Sequence, residues 1–166
     1  DLTPSQRRDA YLATIAAEYA HSPEEGEALA RWLRLPLPLV RLMRDAAVLA
    51  GLWPRLSNED LRPSEVYNLL NGLDIAALRA FSRFAALRAD MVGWGRFQEF
   101  MARTRKLRPQ LTGEYLRSLG VKEGPVYKDA MKALHDTVLD DAVNGKEEEE
   151  RFLRDWLRER GLLEDR

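Results

Sequence analysis

Arg103, Arg105, Lys106 and Arg108 place four positive charges within six residues. Arginine grips a phosphate through two parallel N–H groups, and lysine meets it as a point charge. A helix over Met91–Lys106 would put Arg96, Arg103 and Lys106 near one face. Such a cluster suits a polyanion. The same residues near a helix C-terminus also answer its negative dipole end. The residues alone leave both readings open.

A second candidate lies downstream, in "TGEYLRSLGVKEGPVYKDAMKAL", residues 112 to 134. Gly113 and Gly124 each open a helical segment, with Lys122 and Lys128 close by. Helix N-termini offer unpaired N–H groups to anions. The plainer account is a corner between two helices, with glycine freedom at the bend and Pro125 at the helix entrance.

Other chemistry finds little support. The histidines are His21 and His135. His21 precedes Ser22-Pro23 at a helix junction, and His135 falls at a surface or boundary position of an amphipathic helix. No catalytic residue is assigned. Asp140 and Asp141 are adjacent on a helix end, so their side chains diverge by about 100°. They read as surface charge, not as a metal pair. "KEEEER", Lys146 to Arg151, reads as a solvated first turn, with Glu147–Arg151 and Glu150–Arg154 as i,i+4 pairs. No HExxH, Walker loop or GxGxxG occurs, and no metal site is expected.

The elements that would position these residues are helical. The 166 residues are 45% hydrophobic and 32% charged, which indicates a globular chain. Thr3-Pro4-Ser5-Gln6 is a capping box, and Ser22-Pro23 repeats the device. Ile15 and Tyr19 supply the first apolar stripe, and Leu29, Trp32 and Leu33 the second. A third helix runs from about Pro38 to Ala50, with Gly51 as its stop. Helices then follow from Pro63 to Asn71-Gly72, from Asp74, from Met91 to Lys106, and from Thr112 to Leu119. The last two run from Pro125 to about Ala142 and from Lys146 to Arg160. Trp32 and Trp156 are expected in the core, and Trp94, Phe97 and Phe100 are expected to pack. No stretch alternates like a strand. The fold class is all-α, a compact array of eight or nine helices. Residues 1–110 would form a helical body and 111–166 a tail packed on it.

Bulk charge narrows the partners. The net charge is −1, yet residues 79 to 108 carry Arg79, Arg83, Arg88, Arg96 and the four bases above against only Asp90 and Glu99. A near-neutral chain with a basic middle can still bind polyanions locally. Absence of cysteine excludes disulfides and thiolate metal sites, and it fits a cytoplasmic setting. No apolar run reaches the ~20 residues of a membrane span. The start lacks an initiator Met, and an excised piece of a longer chain is expected.

Leu111 to Leu157 resembles the end of bacterial class II tRNA nucleotidyltransferases and poly(A) polymerases. That family shows a Leu-x-Gly-x-Asp-Leu element and a Leu-Gly-Ile-x-Pro-Gly-Pro loop. Leu111, Gly113 and Leu116 match the first; Leu119, Gly120, Gly124 and Pro125 match the second. Val143 and Glu147 to Glu150 match the Gly-x-Val turn and Glu-rich last helix. Arg62 to Leu70, "RPSEVYNLL", resembles an upstream Pro-Ser-x-x-Tyr-x-Leu-Leu element. Tyr115 and Glu123 depart from it, standing where the family usually has Asp and Pro. The resemblance implies a C-terminal body-and-tail region without its catalytic head. The parent would use ATP or CTP and Mg²⁺ to extend RNA 3′ ends. This region would hold tRNA, or another RNA, by its backbone. The phosphate contacts expected are Arg103, Arg105, Lys106, Arg108, Lys122 and Lys128, with N–H groups near Gly113 and Gly124. The contrasting expectation is a helical protein–protein or homodimerisation module.

Overall fold

The computed structural model describes residues 2–86 and 90–163. Among them are nine α-helices, a 3-10 turn and no strand, so the fold is all-α. The helices are α1 (Pro4–Tyr19), α2 (Pro23–Trp32), α3 (Leu37–Leu56), α4 (Pro63–Leu70) and α5 (Ile75–Ala85). Then come α6 (Met91–Ala102), α7 (Gly113–Ser118), α8 (Pro125–Leu139) and α9 (Lys146–Arg158). Arg88 lies outside the described residues.

The core has three parts. A front cluster joins α1, α2, the first half of α3 and the alanines of α5. A middle cluster joins Leu49, Trp53 and Leu56 of α3 to α4, Phe81 and Phe84 of α5, and Phe97 and Phe100 of α6. A tail cluster joins α7, α8 and α9 through Leu116, Leu134, Leu153 and Leu157. Leu139 at the end of α8 is buried in the middle cluster. Leu107 packs against both the middle and the tail clusters.

Helix starts follow the local chemistry. Thr3 and Gln6 form both bonds of the capping box. The Ser22 hydroxyl accepts from Glu25 N–H. Asp74 accepts from the N–H groups of Ala76 and Ala77, and buried Asp45 accepts in turn from Asp74 N–H at 2.7 Å. Asn71-Gly72 ends α4, Gly72 taking a φ of 98° that favours glycine.

Several expectations are corrected. α3 does not stop at Gly51; it continues through Pro54 to Leu56. Burial of Trp53 and Leu56 in the middle cluster outweighs the ~1 kcal/mol helix preference lost at Gly51. The stripe expected on α1 faces the other way, and that of α2 is split, with Leu29 packed against the front cluster and Trp32 and Leu33 outward. Leu12, Ala13 and Ala16 are buried, whereas Tyr19 is 75% exposed and Trp32 79%. On α2 the cause is close approach. A Cβ on Gly26 of α2 would lie 2.8 Å from the Met43 carbonyl oxygen and 3.1 Å from Arg44 Cα. A seam that tight admits glycine and alanine on the inner face of α2 and turns Trp32 outward. Trp156 is half-buried at the margin of the tail cluster, with the Arg160 guanidinium 3.8 Å over its ring.

The helix from Met91 ends at Ala102, not Lys106. Arg103 departs from helical geometry (φ −122°, ψ −68°), and Thr104–Lys106 form a separate 3-10 turn. Arg96, Arg103 and Lys106 therefore do not share one continuous helix face. Arg96 instead donates to the carbonyls of Leu56, Asn58 and Glu59, closing the end of α3. Thr112 occupies the N-cap position of α7 without a side-chain cap bond. Among the described residues no helix is long and apolar enough to cross a membrane.

Candidate nucleic-acid interface

The basic segment 103–108 crosses from the middle cluster to the tail, and the tail holds the segment containing it at three points. The Arg103 guanidinium donates to both carboxylate oxygens of Asp141, at 3.2 and 2.5 Å. His135 Nε2–H meets the Leu107 carbonyl at 3.1 Å. The Glu149 carboxylate accepts from Gln110 N–H at 3.0 Å and Leu111 N–H at 2.8 Å. Segment 103–111 is thereby fixed along the tail.

Each staple has a local cause. Asp141 adopts φ 54° just after α8, which brings its carboxylate out of the helix line toward Arg103. That guanidinium holds the Asp141 carboxyl below the usual carboxylate range. His135 packs edge-on against Tyr67, their ring centres 4.8 Å apart, so the imidazole is oriented from two sides. Glu149 closes the first turn of α9 and is only 2% exposed. Its two backbone donors satisfy the buried carboxylate and are satisfied by it.

Asp140 and Asp136 extend the seam. Asp140 accepts from Ser64 N–H at 2.8 Å and from the Ser64 hydroxyl at 2.9 Å, capping α4 across 76 residues of chain. Asp136 accepts from the Asn68 amide at 3.3 Å and from Lys132 at 2.5 Å. Neither Asp140 nor Glu149 is the solvated surface charge expected of it. The expected α9 pairs also differ. Glu150 pairs with Lys146, and Arg154 donates to the Tyr115 hydroxyl at 2.9 Å.

The eight candidate residues fall into two groups. Arg103, Arg105, Lys106 and Arg108 lie on the stapled segment. Gly113, Lys122 and Gly124 gather at the end of α8 opposite His135. Lys128 belongs with this second group, four residues and about 6 Å along the axis from Gly124, against about 10 Å from His135. Gly124 is about 16 Å along the axis from His135, and the Tyr127 ring lies beside Gly113. Glu123 pairs with Arg117 there.

Their charges are not equally available. Arg103 is paired with Asp141 and Glu99. Arg108 donates to the carbonyls of Arg105 and Leu107, and its guanidinium sits 6.0 Å over the Tyr67 ring. Arg105, Lys106, Lys122 and Lys128 have no carboxylate partner among the described residues. The acids nearest the basic segment are instead occupied in holding it. The sequence signal for the bases was their density. The staples had none, because their partners lie 28 to 39 residues apart.

Among the described residues no three of His, Asp and Glu come together to hold a metal ion. Asp136, Asp140 and Asp141 are each committed to donors on other elements. No catalytic step is derived through the metal.

The fold and the site define a class of all-α protein in which a basic segment is stapled along a helical tail. Within that class, the chain is 32% identical over 143 residues to a CC-adding tRNA nucleotidyltransferase from Thermus thermophilus. The alignment covers 80% of this chain and 32% of that enzyme. The chain is thus a region related to a tRNA nucleotidyltransferase and spans about a third of its length. No protein-family model matches the chain, and no solved structure gives a significant match.

Proposed function

We propose that this chain is the RNA-holding region of a class II tRNA nucleotidyltransferase or poly(A) polymerase. Residues 1–110 form its body and 111–166 its tail. A catalytic head elsewhere in the parent would use ATP or CTP and Mg²⁺ to extend the RNA 3′ end. This region would position the acceptor end of tRNA and not join nucleotides. The observation that carries the proposal is the stapled segment. Arg105 and Lys106 stand on a stretch of backbone held by the tail and have no carboxylate partner among the described residues. Fixed cations at fixed spacing suit recognition of A-form shape and phosphate position more than of sequence. The similarity to the Thermus enzyme supports tRNA as the RNA.

Filter binding of tRNA across a salt series tests this. Each phosphate contact contributes roughly 0.7–0.9 to the slope of log K against log salt. Arg105→Gln/Lys106→Gln should make that slope shallower by about 1–2. An unchanged slope in a chain that binds tRNA would remove both residues from the interface.

One feature favours a protein–protein module instead. Tyr11, Ile15 and Tyr19, at i, i+4 and i+8, leave an apolar stripe exposed along α1. Light scattering after size exclusion distinguishes the two. A tight homodimer that ignores tRNA at low salt would favour the module.

A further inference from the structure

The basic middle of the sequence has a second part that the stapled segment does not use. Arg79 and Arg83 stand one turn apart on α5, whose eleven residues include no acid. Neither arginine has a carboxylate partner among the described residues. Elsewhere in the fold, i,i+4 neighbours pair base with acid: Arg31 with Glu27, Arg103 with Glu99, Lys132 with Asp136 and Lys146 with Glu150. Like charges at that spacing destabilise a helix by a few tenths of a kcal/mol. The dipole at the C-terminus accounts for Arg83, which lies in the last turn. It does not account for Arg79, in the middle of the helix.

The two arginines border a groove of about 280 Å³ between α5 and α1. Ile75, Ala76 and Ala80 form its apolar floor, and Gln6 and Asp9 its far side. Asp9 would repel an anion, but its carboxylate is bound by Arg8 at 2.8 Å. The Gln6 side-chain oxygen accepts from Thr3 N–H, which leaves the amide N–H donors for another partner. A shallow groove of this size falls just below the ~300 Å³ typical of small-molecule sites. It suits a chain that passes through it. Paired guanidiniums bind phosphodiesters bidentately, and an apolar floor accepts the face of a ribose.

The geometry points to a second phosphate-contacting site, in which Arg79 and Arg83 hold the RNA backbone against the α1–α5 groove of the body. This rests on the RNA-holding reading and extends the RNA path beyond the tail-stapled segment. It also gives the body its own share of the electrostatic binding.

The test compares the full chain with Arg79→Gln/Arg83→Gln, Arg105→Gln/Lys106→Gln and the fourfold variant, using a tRNA transcript and a salt series. Each double variant should make the slope shallower by about 1–2, and the fourfold variant by about the sum. Arg79→Lys/Arg83→Lys should recover the slope while binding less tightly than wild type, because charge returns without the bidentate fork. Both side chains are exposed, so thermal unfolding should be unchanged and loss of fold is separable. If wild type does not bind tRNA at low salt, the RNA-holding reading and this site both fall. If Arg105→Gln/Lys106→Gln alters the slope and Arg79→Gln/Arg83→Gln does not, only this site is overturned. If the Arg79/Arg83 variant loses affinity for a poly-glutamate probe but keeps its tRNA slope, the groove is a protein-docking surface and the assignment to RNA is wrong.

Discussion

The front of the molecule and its tail solve the same packing problem in opposite ways. In the front, α1, α2 and α3 meet over alanines and a glycine, Ala13, Ala16, Gly26, Ala30, Ala46 and Ala47, with Leu12, Leu42 and Met43 filling the space between them. Small side chains let helix backbones approach closely, and the distance between axes depends on what lies at the contact. The aromatic residues face outward, leaving Tyr11, Tyr19 and Trp32 in solvent. In the tail, α7, α8 and α9 meet over leucines, and the polar groups are directed into specific bonds with segment 103–111. The front should therefore resist addition of atoms. The tail should resist their removal.

Removal from the tail gives the largest expected effect. Leu134 is fully buried in the tail cluster. Leu134→Ala should lose about 2–5 kcal/mol, through lost transfer energy and the cavity left behind. Urea unfolding measures it. A loss below 1 kcal/mol would mean the tail can collapse around the gap, and the contrast with the front would weaken.

Glu149→Gln removes one of the two acceptors facing Gln110 and Leu111 N–H and points an amide N–H₂ at a donor. One unsatisfied buried N–H costs about 1–3 kcal/mol. Faster hydrogen exchange at Leu111 and its neighbours should accompany the loss, because the staple holds that backbone. Full stability with unaltered exchange would show that the staple is dispensable.

Gly26→Ala tests the front by addition. On an ordinary helix face this change gains ~1 kcal/mol. Here the new Cβ would meet the Met43 carbonyl and Arg44 Cα, which are backbone and cannot swing aside. Overpacking of this kind costs about 1–3 kcal/mol, so the expected gain is cancelled or turned into a net loss of up to about 2 kcal/mol. A more stable variant would show that α2 and α3 are farther apart than the structure places them.

Acid should cost the middle more than the stapled edge. Asp90 caps α6, and the Ser57 hydroxyl together with Gly93 and Val92 N–H holds its carboxyl below the usual value. The Trp53 indole N–H contributes in the same direction although no good hydrogen bond reaches it. A depressed carboxyl stabilises the fold above its unfolded pKa of ~3.9, and that stability is lost as pH falls through the folded value. Asp141 behaves with the same sign, but it is half-exposed and its pair with Arg103 is screened. Asp90→Asn should flatten the fall of melting temperature below pH ~4 more than Asp141→Asn does. Equal flattening would contradict the difference in environment.

The sequence showed what local chemistry decides. Caps at Thr3, Ser22 and Asp74 and the prolines at helix entrances marked most helix starts, and the all-α class followed. It showed the density of bases at 103–108 as well. It could not show which face of α1 or α2 turns inward, because apolar residues occupy both faces. The close contact of Gly26 with α3 decides the face of α2, and on α1 it is packing into the front cluster that takes Ala16 in and leaves Tyr19 out. It also misled at Asp140 and Glu149. A carboxylate in a charged run reads as solvated until the chain brings a backbone donor to it from far away. The separation of Arg96 from Arg103 depended on one non-helical residue, Arg103, which carries no local breaking signal.

The smallest expected effect concerns the outward aromatics. Tyr19 and Trp32 are 75% and 79% exposed, so little of either is buried by folding. Tyr19→Ser and Trp32→Ser should each change stability by no more than about 0.5 kcal/mol, as surface substitutions do. Leu134 and Trp32 are both large apolar residues on helices, yet the first should matter several-fold more. Urea midpoints that fall for Trp32→Ser at low protein concentration would place it in a packed environment within one chain. Midpoints that fall only at high concentration would show a surface covered by another copy. Unchanged midpoints at every concentration would confirm that the outward aromatics take no part in holding the front together.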